Sequence, residues 1–373
     1  MKQQIANTKA LFALLTAGLW EQEVRLLPYG EISFKEIFRL ANEQAVIGLI
    51  AAGINHAVDV NVPKEVVLSV VGQTLQLEQK NSAMNRYIVD LVEKMRAEGI
   101  DTILVKGQGI AQCYERPLWR SCGDIDLLLN EEDYNKAKLF MSPLATSIEP
   151  EIEDAKHLEM LIGPWEVELH GTLHSGLSRR IDNVLDQLCY KSFTEGQVRF
   201  WMNGTTQVLL PCPDNDVIFV FSHILQHFFK GGIGLRQVCD WCRLLWTYQD
   251  IIDKELLETR ICEMKLMTEW KAFSTLSVDY LGMPTAALPF YSRAKRWKKK
   301  SDRIVNFVLK TGNFGHNRDT SYIGEKKYII RKSISLWRHN CDNLTRFFIF
   351  PLDSLRTWGQ MLVNGMKMAV KGK

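Results

Sequence analysis

The spacing of apolar residues predicts helices at both ends of the chain and a mixed segment between them. In residues 1–98, apolar positions recur every three or four residues, which is typical of amphipathic helices. Ser33 and Glu36 form the capping pattern that begins one such helix, and a longer helical pattern from Lys64 to Glu98 is expected to contain a break. We therefore predict a helical N-terminal region over residues 1–98.

The pattern changes after residue 98 to short apolar runs separated by turn residues. Four of these runs have the composition and length of strands: Thr102–Val105, Asp124–Leu129, Leu158–Ile162 and Glu166–His170. The last two flank Gly163 and Pro164, which predicts a hairpin. The order strand, helix, strand, helix, hairpin predicts an α+β fold, with a small mixed sheet and packed helices over residues 99–212.

Helical spacing returns at Pro213, where Asp214 or Asn215 would cap the first helix. The rest of the chain is rich in aromatic and basic residues and carries no clear strand signal. We therefore predict a helical C-terminal region over residues 213–373, so that helices flank the small sheet on both sides.

Composition indicates a globular protein in a reducing compartment. The 373 residues are 46% hydrophobic and 24% charged, and the net charge of +3 gives no global signal for nucleic acid. The eight cysteines are scattered in a chain too large to need disulfides, which favours a cytoplasmic location. No apolar run reaches the roughly 18 residues that span a bilayer, and the apolar stretch Leu11–Leu15 predicts an amphipathic helix rather than a secretory signal.

Asp124 and Asp126 are the strongest candidate site residues. Alternation along a strand places both carboxylates on one face, whereas Ile125 and Leu127 point into a core. Two acids held this close repel each other unless a cation lies between them, and Mg²⁺ prefers such oxygen ligands. The pair therefore predicts a divalent-ion site, the alternative being a solvated sheet edge.

Two further segments have the chemistry to join this pair. The turn Lys106–Gly109 follows a strand, and its glycines would let the backbone approach a phosphate, although such a turn is often only a tight connection. Glu166, Glu168 and His170 share one face of a later strand. A third carboxylate from that strand would complete a site for two ions, in which one activates a hydroxyl and the other stabilises the leaving phosphate.

These segments resemble the uncharacterised nucleotidyltransferase family, within the polymerase-beta-like nucleotidyltransferase superfamily. The resemblance is carried by Leu104-Val105-Lys106-Gly107, a short helix ending at Tyr114, Arg120, Gly123-Asp124-Ile125-Asp126-Leu127-Leu128 and Glu168-Leu169-His170. It extends to the helical N-terminal region and to the histidine-containing helix near His223. One departure is Gln108, where the superfamily turn commonly has glycine or serine.

The resemblance implies an Mg²⁺-dependent enzyme that transfers a nucleoside monophosphate from a nucleoside triphosphate (NTP) to a hydroxyl acceptor. Asp124 and Asp126 would bind Mg²⁺ and the triphosphate, and Glu168 would hold the catalytic ion, with Glu166 as the alternative third acid. The resemblance also implies the nucleotide-binding residues, which are Lys106, Gly107 and Arg120. The acceptor is unidentified, with a saccharide or another small molecule favoured over nucleic acid.

A second constellation lies in the C-terminal region. His223 and His227 share a helix face, and Cys239 and Cys242 follow with a spacing that resembles a zinc site in reverse order. We prefer a wall of the acceptor pocket, built from His170, His223, His227, Arg236 and Asp240. Core histidines with satisfied hydrogen bonds are the structural alternative.

Two other functions remain open from the sequence. The altered turn at Gln108 would suit a catalytically silent protein that binds nucleotide or metal for regulation. The basic run Arg293–Lys300, with Trp297 inside it, would suit an RNA-binding adaptor or a solvated connector.

Overall fold

The N-terminal region consists of helices, as predicted. The computed structural model describes residues 2–153, 156–315 and 328–370. The four N-terminal helices are α1 (Lys2–Trp20), α2 (Phe34–Glu43), α3 (Ile47–Asn55) and α4 (Lys64–Ala97). Ser33 caps α2 by accepting a hydrogen bond from the backbone N–H of Glu36 at 3.4 Å. The capping pattern in the sequence therefore marks a true helix start.

Helix α4 is continuous over 34 residues, so the predicted break is wrong. No proline interrupts it, and a buried polar residue within it has partners outside the helix. Asn81 is fully buried and donates hydrogen bonds to the carbonyl oxygens of Leu118 and Arg120, both at 2.8 Å. The polar position thus marks a contact with the loop before the second strand, not an interruption of the helix.

The middle region contains a five-stranded mixed sheet, which confirms the α+β prediction. Its strands are β1 (Ile103–Val105), β2 (Asp124–Leu128), β3 (Ser147–Ile148), β4 (His157–Ile162) and β5 (Trp165–His170). They lie in the order β1–β2–β5–β4–β3, and β2 and β5 are parallel while the other neighbours are antiparallel. The predicted hairpin is the pair β4–β5. Helices α5 (Gly107–Ala111) and α6 (Glu131–Met141) connect the strands, and α5 ends before Tyr114, where the short helix was expected to end.

The two faces of this sheet differ sharply in polarity. Ile125, Leu127 and Val167 are at most 1% exposed and join a core cluster with α4 and α6. Because strand side chains alternate, the intervening residues Asp126 and Glu168 lie on the opposite face. The apolar face therefore anchors the sheet and leaves the other face for polar chemistry.

A second hairpin was not predicted. It consists of β6 (Val198–Asn203) and β7 (Thr206–Pro211), and it follows helix α7 (Arg179–Thr194), which was also missed. Val208 and Leu210 of β7 are buried in the core cluster beneath the sheet. The two-residue loop Gly204-Thr205, with Gly204 at a φ of 62° in the first position, is the turn signal that could have revealed this hairpin.

The C-terminal region is helical, with no strand among the described residues after 212. Its helices are α8 (Pro213–Lys230), α9 (Leu235–Thr247), α10 (Lys254–Glu263), α11 (Met267–Leu281), α12 (Lys295–Thr311), α13 (Tyr328–Phe347) and α14 (Pro351–Val370). Side chains of α8, α9, α11 and α12 share one core cluster with α1 and α3. The division of the chain into three domains stays a prediction.

The basic run begins α12 and is not a disordered connector. Trp297 is buried and therefore offers no exposed ring for base stacking. Lys298 forms ion pairs with Asp279 at 3.1 Å and Asp302 at 3.0 Å. These contacts give the run a packing role.

Among the described residues, none of the helices has the length and apolar character needed to cross a membrane.

Helices α1 and α3 cross at unusually close range through two glycines. A Cβ atom at Gly18 would lie 1.9 Å from the carbonyl oxygen of Leu49, and one at Gly53 would lie 2.0 Å from that of Leu14. Both obstacles are backbone atoms, so neither can move aside alone. The crossing therefore requires glycine at both positions.

We predict that Gly18→Ala destabilises the protein by about 1–3 kcal/mol, the usual range for overpacking. The matched control is Gly72→Ala, because Gly72 is exposed within α4 and a Cβ atom added there would meet no other group within 4 Å. The control should gain about 0.5–1 kcal/mol from better helix propensity. Urea unfolding of both variants measures the difference, and equal stabilities would contradict this account of the crossing.

Candidate active site

The register between β2 and β5 brings three carboxylates together on one sheet face. Asp124 pairs with Glu166, and Asp126 pairs with Glu168, in parallel strands. Carboxylate oxygens of Asp124, Asp126 and Glu168 all lie within 4.8 Å of one another. Glu166 is exposed and is not part of this cluster. The acidic site, as we call the cluster of Asp124, Asp126 and Glu168, therefore has the composition of a divalent-ion site.

Lys106 supplies a positive charge within the acidic site. Its Nζ lies 2.5 Å from Oδ1 of Asp126, which is only 1% exposed. Burial opposes the charged form of Lys106, but the carboxylates of Asp126, Glu168 and Asp124 raise its pKa above the usual value. Burial likewise raises the pKa of Asp126 to about 6, against the lowering effect of Lys106. The ammonium group thus partly neutralises three crowded acids.

The backbone at Lys106 is strained in order to hold this position. Its φ of 56° and ψ of −144° lie in a region that favours glycine. Such a conformation costs on the order of 1–3 kcal/mol and persists only where the surroundings hold it. The ion pair with Asp126 and the short helix α5 that follows provide that support.

Two histidines hold the third carboxylate. Nε2 of His157 and Nε2 of His170 each lie 3.2 Å from Oε2 of Glu168, and His170 also lies 2.9 Å from Oδ1 of Asp126. Burial would raise the pKa of Glu168, but hydrogen bonds from both histidines lower it. Burial opposes protonation of His170, whereas its bonds to Asp126 and Glu168 raise its pKa. Glu168 is therefore kept ionised and fixed in orientation.

The acidic site opens into a cleft of about 840 Å³ between the sheet and the helices α8 and α9. All eleven site residues expected from the sequence line this cleft, and so do several that were not expected. Those that sequence reasoning missed include His157, His174, Ser175 and Lys230. His157 becomes a neighbour of His170 only through the β4–β5 pairing. The sequence around His157 therefore contains no motif that identifies it as a site residue.

The wall opposite the acidic site carries neutral imidazoles and basic groups. His223 and His227 lie one helical turn apart on α8, with their Nε2 atoms 3.0 Å apart. Burial and the nearby Lys106 lower the pKa of His227 to about 4 and hold that of His223 well below its usual value. Lys230, on the same helix, donates to the carbonyl oxygen of Ser175 at 2.7 Å. This wall offers hydrogen-bonding groups facing the acids.

Arg120 and Asp240 form a buried ion pair at the edge of the cleft. Two guanidinium nitrogens of Arg120 each lie 2.7 Å from a different carboxylate oxygen of Asp240, and Tyr114 donates its hydroxyl to the same group at 2.7 Å. The pair connects the loop before β2 to α9. Arg236, one turn earlier on α9, donates to the carbonyl oxygen of Ser121 at 2.8 Å.

Gly107 lines the cleft, whereas Gln108 does not. The Gln108 side chain is 1% exposed and donates to Oδ1 of Asn81 on α4 at 2.9 Å. Gln108, which stands where the superfamily turn commonly has glycine or serine, therefore packs against α4. It does not alter the surface of the cleft at Gly107.

Cys239 and Cys242 do not line the cleft. Both are fully buried in the core cluster that α9 shares with its neighbours. His223 and His227 face the cleft instead. Within the described part of the chain, none of these four residues belongs to either of the two clusters of candidate metal ligands.

The fold and the cleft define an α+β protein whose sheet carries an acidic centre that could hold a metal ion. The model of a family described as uncharacterised nucleotidyltransferase matches residues 30–281, about two thirds of the chain. The protein belongs to this uncharacterised nucleotidyltransferase family, as its motifs suggested. Searches of curated proteins and of solved structures returned no significant match. Family membership supports nucleotidyl transfer as the general activity.

The buried pair leads to a prediction about stability. Asp240→Asn keeps the shape of the side chain but leaves the Arg120 guanidinium buried without its counter-charge, so the protein should lose about 3–5 kcal/mol of unfolding free energy. The control is Asp186→Asn, because Asp186 is a half-exposed partner of His174. Such exposed pairs contribute less than about 1 kcal/mol.

Urea unfolding measures both variants. The double variant Arg120→Met/Asp240→Leu should recover part of the loss, since it leaves no buried charge. An Asp240→Asn protein as stable as the Asp186→Asn control would show that the pair does not hold the two segments together.

Proposed function

We propose that this protein transfers a nucleoside monophosphate from an NTP to a hydroxyl acceptor with the help of Mg²⁺, releasing pyrophosphate. The observation that carries the proposal is the convergence of Asp124, Asp126 and Glu168 on one face of the sheet. Membership of the nucleotidyltransferase family supports the reaction class.

The donor set fits Mg²⁺. All three ligands offer carboxylate oxygens, which this hard cation prefers, and their mutual repulsion is only partly offset by Lys106. We propose that Asp124, Asp126 and Glu168 would hold the metal. When bound, Mg²⁺ would polarise the phosphate and stabilise the charge that develops on it.

The chain's own residues would prepare the reactants. Glu168, kept ionised by His157 and His170, would accept a hydrogen bond from the attacking hydroxyl and so orient it toward the phosphate. Lys106 would stabilise negative charge on the transferring phosphate, and Gly107 would let that phosphate approach the backbone. Arg120, paired with Asp240, would contribute positive charge at the cleft edge and position the adjoining wall.

The acceptor side of the cleft favours a neutral, hydroxylated molecule. His223 and His227 are uncharged near neutral pH because burial lowers their pKa, so they would exchange hydrogen bonds with hydroxyl groups. We propose that they form the acceptor pocket with His170, Arg236 and Asp240. A volume of about 840 Å³ accommodates a nucleotide and a small acceptor such as a saccharide unit.

Asp124→Asn and Asp126→Asn should each reduce Mg²⁺-dependent pyrophosphate release at least about a hundredfold, because each removes a charged ligand from the acidic site. The matched control is Glu166→Gln on the same strand as Glu168. Glu166 is exposed and lies outside the cluster, so its removal should leave turnover within about twofold.

Pyrophosphate release is measured with each NTP in turn against panels of saccharide and small-molecule acceptors. If the two Asp variants release pyrophosphate like the parent, nucleotidyl transfer at this site is excluded. Calorimetric NTP binding without pyrophosphate release across the panels would instead identify a silent regulatory protein.

Lys106→Met should make the protein more dependent on divalent cations for stability. Without the ammonium group the three carboxylates repel one another, so unfolding free energy should fall by about 2 kcal/mol or more in metal-free buffer. Added Mg²⁺ should then raise the melting temperature of the variant more than that of the parent, because a ligand stabilises the state it binds.

Thermal melting with chelator and with Mg²⁺ tests this expectation. Lys136→Met is the control, since Lys136 and its partner Glu132 are both well exposed on α6. If added Mg²⁺ does not change the melting temperature of Lys106→Met, that result would count against metal binding beside Asp126.

A further inference from the structure

We propose that His157, Glu168 and His170 form a second metal site, selective for a divalent first-row transition ion such as Mn²⁺. We call these three residues the histidine site. It adjoins the acidic site and shares Glu168 with it. The proposal rests on the proposed function only in assigning Mg²⁺ to the acidic site; the binding of a transition ion at the histidine site stands on its own geometry.

Two of the three separations between ligand atoms of the histidine site match those around one ion. Nε2 of His157 and Nε2 of His170 both lie 3.2 Å from Oε2 of Glu168. Two ligands bound at about 2.1 Å to one tetrahedral or octahedral ion lie about 3.0–3.4 Å apart. Both observed distances fall inside this interval, and all three ligand atoms lie within 4.8 Å of one another, so rotations of the side chains would bring them onto one ion.

The sheet register holds the three ligands in place. His157 and His170 are direct neighbours in the antiparallel pair β4–β5, and their rings stack with centroids 4.8 Å apart. Glu168 precedes His170 by two residues and therefore lies on the same face. All three side chains are between 15% and 24% exposed, which leaves them accessible from the cleft.

The ligand types predict a different ion from the acidic site. Imidazole nitrogen suits Zn²⁺, Fe²⁺, Ni²⁺ and Cu²⁺, whereas a set made only of carboxylates suits Mg²⁺. Mn²⁺ is the weakest binder of the divalent first-row series, and its unpaired electrons make it the probe for this site. The two carboxylate oxygens of Glu168 would allow it to serve both ions. Centres that share a ligand in this way typically hold their ions about 3.5–4 Å apart, the spacing used in phosphoryl chemistry.

Pulsed electron paramagnetic resonance of the full chain with Mn²⁺ as the only added ion tests the proposal. Imidazole ligation should appear as coupling between Mn²⁺ and ¹⁴N in the parent protein. His157→Gln and His170→Gln should each weaken or abolish this coupling and lower Mn²⁺ affinity by more than about tenfold. His56→Gln is the matched control, because His56 pairs with Glu21 outside the cleft and should leave the coupling unchanged.

The outcomes separate this proposal from the proposed function. Mn²⁺ bound without nitrogen coupling in the parent, or coupling that survives both histidine substitutions, would overturn the histidine site. Those results would leave the two histidines as hydrogen-bond donors to Glu168. If one of the two variants fails to fold, the other still tests the assignment, because loss of either histidine should weaken the coupling. Asp124→Asn should keep the nitrogen coupling even if NTP turnover proves absent, so loss of the proposed function would not remove this site.

Discussion

Parallel pairing of β2 with β5 is the constraint on which the rest of the site depends. It aligns Asp126 with Glu168 on adjacent strands, so that two acids far apart in sequence become neighbours. A shift of one residue would turn either carboxylate toward the apolar layer formed with α4 and α6. That layer fixes the register, because Val167 and Leu127 are completely buried within it. Core packing on one face thus positions the chemistry on the other.

Carboxylates gathered in this way need compensating interactions, and three surrounding residues supply them as one ammonium group and two hydrogen-bond donors. Lys106 lies against Asp126 despite a strained backbone, and His157 and His170 donate to Glu168. A metal ion would take over part of the role of these groups. The site is therefore arranged so that cation binding relieves a repulsion already present in the fold.

The helical regions complete the site rather than merely surround it. Helices α8 and α9 form the wall opposite the sheet, and the buried pair of Arg120 with Asp240 joins that wall to the loop before β2. Membership of the nucleotidyltransferase family indicates the reaction class. The choice of acceptor depends instead on flanking elements such as these helices, which form the cleft. We propose that the histidines of α8 help to select it.

The sequence by itself determined the α+β class, the strand that carries Asp124 and Asp126, and the family, since these depend on local alternation and on short motifs. It also indicated Glu168, but it left Glu166 as an alternative, because both point to the same face of one strand. Only the tertiary structure separates them, because Glu168 is paired with Asp126 and lies in the acidic site, whereas Glu166 is exposed outside it. Strand pairing likewise revealed His157, and helix packing showed Gln108 directed to α4. Such contacts join distant segments, and hydrophobic periodicity within one segment cannot encode them.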